Sequence, residues 1–433
     1  MKRRNFLKNT ISSVVLPSFI NGFSIKAMAS SPFFDAINNS MDTDHVLVLV
    51  QLSGGNDGLN TVIPLEFYDA YRAARTNIAI PSDKVLPLNG YDKVGLHPAM
   101  TQLQQLYGDG KLSLVQAVSY PKPNFSHFRA TDIWLSGANA DQLLPTGWAG
   151  RYLEYRFPHF PEAYPSAAMP DPLAIQIGSI TSPALQGSAL TMGMAISNPT
   201  SFYNLLEGKD TPLPDTRAGD QLAYIRAMSE KTDQYATVIK KAANRVVKQS
   251  NLYPAAGKNP LADQLKIVAR LIAGGLQTKV YIVNMGGFDT HAKQTETDTV
   301  TGNHARLLGR VSEAIGVFMA DLNELEVGDR VMGMTFSEFG RRIKSNASGG
   351  TDHGVAAPVF VFGNAVQAGV IGTTPVIPAN ATVNDNVSMQ YDFRSLYATL
   401  LEQWFAIDKA QAGKILLADY ETLPLVKRVA SGE

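Results

Sequence analysis

The feature that most constrains this chain is a set of short apolar runs that do not alternate. They fall at 46–52 (VLVLVQL), 112–118, 173–177, 280–284, 331–336 and 358–362. A strand with one wet face alternates apolar and polar residues, whereas runs like these read as strands buried on both faces. Helical stripes lie between them. Leu308, Val311, Ile315, Phe318 and Leu322 step by three and four, as do Leu265, Val268 and Ile272, and likewise Leu396, Leu400 and Trp404. Strands alternating with helices predict an α/β fold with a mainly parallel central sheet and helices on both faces. The polar, helix-patterned stretch 220–250 predicts a helical insertion over about 199–258, within one domain spanning 30–433.

The first 29 residues carry a different message. Lys2-Arg3-Arg4-Asn5-Phe6-Leu7-Lys8 reads as the address of the twin-arginine translocase. The apolar stretch that follows is broken by Pro17 and Gly22 and is too short and too weak for permanent insertion in a membrane. Ala27-Met28-Ala29 supplies the small residues of a cleavage site. The expected destination is periplasmic or extracellular. Removal of the five basic signal residues (Lys2, Arg3, Arg4, Lys8, Lys26) leaves 33 basic against 38 acidic residues. That balance offers no footprint for nucleic acid. The chain has no cysteine, so disulfides, thiolate catalysis and cysteine-ligated metal are excluded.

Ligands of open parallel sheets gather beyond the carboxyl ends of the strands. Ser53-Gly54-Gly55-Asn56-Asp57-Gly58 follows the first run, and Gly286-Gly287-Phe288-Asp289-Thr290-His291 follows 280–284. Ser337-Glu338-Phe339-Gly340-Arg341-Arg342 follows 331–336, and Gly349-Gly350-Thr351-Asp352-His353-Gly354 precedes 358–362. Their convergence on one edge would join carboxylate and imidazole donors suited to zinc, manganese or a similar divalent ion. The candidate ligands are Asp57, Asp289, His291, Glu338 and His353. Singly, each cluster also reads as a glycine turn or a helix cap. The segment PKPNFSHFRATDIW enters a helical pattern, which puts Ser126 near a helix N-terminus where an oxyanion is favoured. There Ser126 is either a metal-activated nucleophile or a plain N-cap.

Taken together, GGNDGLN, SHFRATDIW, GGFDTH, SEFGRR, GGTDHG and DFRSLYATLLEQW, with the twin-arginine start, resemble the bacterial family called domain of unknown function 1501. The resemblance spans nearly all of the mature chain. That family is grouped with the alkaline phosphatase and sulfatase superfamily, so the resemblance implies an alkaline phosphatase-like fold. It also implies a metal role for Asp57, a nucleophilic Ser126, a metal pair in Asp289 and His291, and a last metal histidine in His353. Here the pair is separated by one residue where the superfamily has three. Phe339 stands where the superfamily carries an imidazole.

One metal set would then be Asp289, His291 and His353. The other would be Asp57, Ser126 and Glu338, all oxygen unless His127 joins it. An all-oxygen set prefers manganese, magnesium or calcium to zinc. The expected function is an exported metal-dependent hydrolase of phosphate or sulfate esters, small or polymeric, with Arg129, Arg341 or Arg342 clamping the anion. The alternative, favoured by Phe339, is a non-catalytic periplasmic binding or assembly protein on the same scaffold.

Overall fold

The computed structural model describes residues 43–198 and 233–427, and the backbone of a two-residue antiparallel pair, Phe19–Ile20 with Phe23–Ser24. Apart from that pair, the expected signal peptide lies outside the described residues, as does the 199–232 part of the expected insertion; 233–245 is helical. The chain divides into two compact units, Met1–Thr43 and Asp44–Glu433. The sheet, the cores and the candidate site all belong to the second.

Among the described residues nine strands form its central sheet: β1 (Val46–Leu52), β2 (Leu112–Ser119), β3 (Ala174–Ile177), β4 (Met194–Ile196), β5 (Val280–Met285), β6 (Val331–Phe336), β7 (Ala357–Gly363), β8 (Gly369–Ile371) and β9 (Tyr391–Asp392). Their order is β8-β2-β7-β6-β1-β5-β3-β4, with β9 also on β2. β1 lies between two parallel neighbours, Val280 pairing with Leu47 on one side and Val331 with Val46 on the other. Every pairing is parallel except the two that β7 makes, with β6 and with β2. The fold is therefore α/β with a mainly parallel sheet, as the apolar runs predict.

The principal helices are α1 (Thr101–Gly108), α2 (His127–Ser136), α3 (Trp148–Arg156), α4 (Pro260–Ala273), α5 (Asn303–Glu324), α6 (Phe393–Thr399) and α7 (Lys409–Leu416). Local chemistry places α4: Asn259 accepts from the Ala262 amide and Pro260 occupies the first turn. The helical stripe of Leu396, Leu400 and Trp404 is realised as α6 followed by a single π turn over Leu400–Trp404.

β1 shows why its run does not alternate. Val46, Val48 and Val50 join one core, packed under Leu265 and Val268 of α4 and Leu308, Val311 and Phe318 of α5. Leu47 and Leu49 join the opposite core, with Trp134 of α2, Trp148 of α3 and Tyr397 of α6. Both faces are covered, so each position has to be apolar. No described helix is long and apolar enough to cross a membrane.

The reversed strand decides where the site assembles. β1, β5 and β6 end at one edge of the sheet. β7 runs against its neighbours, so its beginning lies at that same edge. His353, which precedes a strand, thereby joins residues that follow strands.

Candidate metal centre

Two glycines let the loops approach. Gly54 and Gly55 follow β1 with φ of +124° and +77°. A Cβ on Gly54 would lie 2.3 Å from the Asp289 backbone nitrogen, and one on Gly55 would lie 2.3 Å from the Phe339 ring. Only glycine permits both the backbone conformation and the contact.

Four side chains converge at this edge. Ligand atoms of His127, Asp289 and His353 all lie within 4.8 Å of one another. His291 adds a fourth group, its Nε2 lying 3.2 Å from Asp289 Oδ1 and 2.8 Å from His353 Nε2. Asp289 Oδ1 is 3.5 Å from His353 Nε2, and Asp289 Oδ2 is 3.6 Å from His127 Nε2.

The outer nitrogen of each ring is anchored to an acceptor. His127 Nδ1 bonds Glu338 Oε1 at 2.9 Å, His353 Nδ1 bonds the Phe125 carbonyl at 2.8 Å, and His291 Nδ1 bonds Asp352 Oδ1 at 3.2 Å. Carboxylates and carbonyls accept, so each Nδ1 carries the hydrogen and each Nε2 presents a lone pair inward. The Nε2 atoms of His291 and His353 then face each other at 2.8 Å as two acceptors. Such a pair is repulsive unless a cation stands between or beside them. Burial and the charge of Arg341 and the neighbouring histidines lower the His353 pKa despite its bond to Phe125, which disfavours a proton on that ring. Three imidazoles and a carboxylate with outer partners of this kind fit a divalent metal, with the outer acceptors orienting the ligands.

Asp289 supplies the negative charge. Burial pushes its pKa up, but the hydrogen bond and charge of Arg341, with His291 and His127, prevail and hold it below the usual carboxylate range. Phe339 does not interrupt the cluster. Its ring packs 5.0 Å from that of His127 and 4.5 Å from that of His353, walling one side.

The remaining expected site residues are revised by their surroundings. Asp57 is fully buried and is held by Arg75 Nη1 at 2.6 Å and Gln294 Nε2 at 2.5 Å. A guanidinium thus faces one oxygen of this carboxylate, and its Oδ1 has no partner among the described residues. Glu338 is buried behind His127, accepting from its Nδ1 and from the Gly54 amide at 2.8 Å. It serves a histidine ligand and does not belong to an all-oxygen set.

Arg341 is buried, and its guanidinium donates to the carbonyls of Gly54, Gly55, Phe288 and Thr351 and to Asp289. Arg129 binds Asp132 and the carbonyls of Asn139, Ala140 and Gln142. Neither is available to clamp an anion; both tie loops. Arg342 donates to the Asn384 carbonyl and lies over the Phe125 ring. Ser126 occupies the N-cap position of α2 with an exposed side chain that makes no capping hydrogen bond.

A buried glutamine links the two loops that carry ligands. Gln294 Oε1 accepts from Thr290 Oγ1 and from Thr351 Oγ1, each at 3.0 Å, while its Nε2 donates to Asp57. Thr290 lies between Asp289 and His291, and Thr351 is two residues before His353. Sequence reasoning passed over Gln294 and Arg75 altogether, and gave His127 only a conditional place. The histidine opening a helix beside Ser126 was the available signal.

The cluster opens onto a cleft of about 730 Å³. His127, Asp289 and Glu338 line its inner end, and α2 forms one side.

Residues 204–414 match the model of a family described as Protein of unknown function (DUF1501). That span holds Asp289, His291, Glu338, Arg341 and His353, and bears out the resemblance over the motifs GGFDTH, SEFGRR, GGTDHG and DFRSLYATLLEQW. No curated protein matches the chain in sequence. Among solved structures, it is similar to a protein in the alkaline phosphatase superfamily from Vibrio parahaemolyticus, with TM-score 0.38 and 10% identity over 88% of this chain and 71% of that one. It is also similar to a sulfatase from Pseudoalteromonas sp., with TM-score 0.36 and 12% identity over 92% of this chain and 78% of that one. A third likeness is to alkaline phosphatase from the Antarctic bacterium TAB5, with TM-score 0.31 and 10% identity over 74% of this chain and 91% of that one.

Proposed function

We propose that this chain is an exported, metal-dependent hydrolase of phosphate or sulfate esters, whose cation is held by His127, Asp289, His291 and His353. The observation that carries the reading is the set of inward Nε2 lone pairs, each fixed by an outer acceptor, around an ionised Asp289. A divalent cation there would polarise an ester and stabilise the negative charge that builds up as it is cleaved. Glu338, Asp352 and the Phe125 carbonyl fix the rings. Ser126, between Phe125 and His127 in the chain, is the candidate nucleophile, and its hydroxyl is exposed and uncapped. The free amides of the first α2 turn favour an anion nearby. Arg3-Arg4 and the small-residue cleavage site support delivery to the periplasm by the twin-arginine translocase.

The test pairs elemental analysis with turnover on aryl phosphate and aryl sulfate. Wild type should carry divalent metal and cleave at least one ester, and His353→Ala should lose both metal and turnover. Protein that takes up no metal under varied divalent loading, and gains no thermal stability from it, would overturn the proposal.

A second reading, a binding or assembly protein, draws support from the occupied guanidinium groups of Arg129 and Arg341 and from a cleft lining that holds no lysine or arginine among the described residues. Metal-loaded wild type that cleaves neither ester would favour it.

A further inference from the structure

The cleft beside the cluster has an unusual lining for a chain expected to handle anionic esters. Its volume of about 730 Å³ lies within the range of about 300–1,000 Å³ common for small-molecule sites. Among the described residues no lysine or arginine lines it, while Asp132, Asp289 and Glu338 do. Beside His127, its other polar side chains are the amides of Gln51, Gln176 and Asn284 and the hydroxyls of Ser53, Thr131, Thr181 and Ser182. The side chains of Gln51 and Thr131 have no hydrogen-bond partner among the described residues.

Helix α2 turns one face to this space. Phe128, Thr131, Asp132 and Leu135 line it at helical spacing, while Ala130, Ile133 and Trp134 are buried in the protein. Phe128 is 91% exposed, and Ile180, which also lines the cleft, is 80% exposed. The Phe128 ring thus presents an open apolar face beside a metal-ligand candidate.

We infer that the cleft receives a neutral, polyhydroxylated group, a glycosyl residue or short oligosaccharide, which carries the ester to the metal centre. Amide side chains both donate and accept, as hydroxyl groups do, so Gln51 and Asn284 match a polyol in either sense. The Asp132 carboxylate accepts from hydroxyls. The Phe128 ring offers a flat apolar face for the C–H surface of a pyranose. Beyond the metal centre a polyanionic ligand would meet the Asp132 carboxylate and neutral amides and hydroxyls, with no lysine or arginine among the described lining residues to pair with further charges. The placing of the ester rests on the hydrolase reading; the affinity for a neutral glycan does not.

The test is binding of the full chain, metal-loaded and chelator-treated, to an array of neutral, sulfated and uronic-acid oligosaccharides. Titration calorimetry on the best neutral probe follows, with metal content measured on every sample. Neutral glycans should be retained with or without metal, and their affinity should be insensitive to salt. Phe128→Ala and Gln51→Ala should each weaken it by about tenfold while metal content stays at the wild-type level. The inference falls if no neutral glycan is retained, if polyanionic glycans are preferred with steep salt dependence, or if both variants bind as wild type does. Glycan binding by a protein that holds no metal and cleaves no ester would bring down the hydrolase reading alone. Ester turnover without glycan binding would bring down this inference alone.

Discussion

Gln294→Leu tests whether the metal centre is held from behind. Gln294 is fully buried, and its loss removes the partner of two hydroxyls, Thr290 and Thr351, which are 4% and 0% exposed. It also removes one of the donors to the Asp57 carboxylate, leaving Arg75 to hold that group. Each buried group left unpaired costs about 1–3 kcal/mol, and the added apolar surface of leucine returns roughly 1 kcal/mol. For the two hydroxyls the net is a destabilisation of roughly 1–5 kcal/mol, against a total of about 5–15 kcal/mol for native proteins. The variant should fold and melt lower by on the order of 10 °C.

A second effect separates a support from ordinary core. The loops bearing Asp289, His291 and His353 lose their common tie, so metal affinity should fall by about 10- to 100-fold, as for residues that orient ligands. Competition against a fluorescent chelator reads the affinity, and calorimetry reads the melt. Thr278→Val is the control. That hydroxyl is buried and donates to the Pro172 carbonyl at 2.7 Å, away from the ligand loops. It should lower the melt and leave metal affinity alone. Metal affinity within about twofold of wild type in a folded Gln294→Leu would refute the reasoning.

Two further outcomes follow from the same geometry. His97 and His304 are buried, and burial lowers their pKa values from 6.5 to about 3 and about 4. The unfolded chain binds more protons than the folded one below pH 6.5, so stability is complete above that pH and is lost on acidification towards pH 4. The expected slope is about 1.4 kcal/mol per pH unit for each histidine. Denaturation across this range should show it, and His304→Gln should remove one histidine's share; an unchanged slope would contradict the assignment. Ser126→Ala should leave the melt unchanged, because no capping hydrogen bond is lost, yet should abolish ester turnover. A lowered melt with full turnover would reduce Ser126 to a structural cap.

The sheet and its flanking helices were legible in the chain because they depend on local pattern. Unalternating runs such as VLVLVQL have one physical explanation, burial on both faces, and they appear as β1, β5 and β6 within a residue of where they were read. The strand-end placement of Asp289, His291 and His353 follows from the same pattern. What a carboxylate does at that edge is not a local property. Asp57 and Asp289 look alike as sequence, each after a glycine-rich turn. Arg75 meets the first inside the protein, whereas three imidazoles meet the second at an open cleft. His127 and Glu338 pair across 211 positions, and Gln294 and Asp57 across 237. Periodicity carries no information over such separations. The sequence by itself determined the layers, the edge and the kinds of donor available. Only the tertiary structure decided, through the reversal of β7 and the burial of each charge, which donors converge at the open cleft and which carboxylate is enclosed with an arginine in the interior.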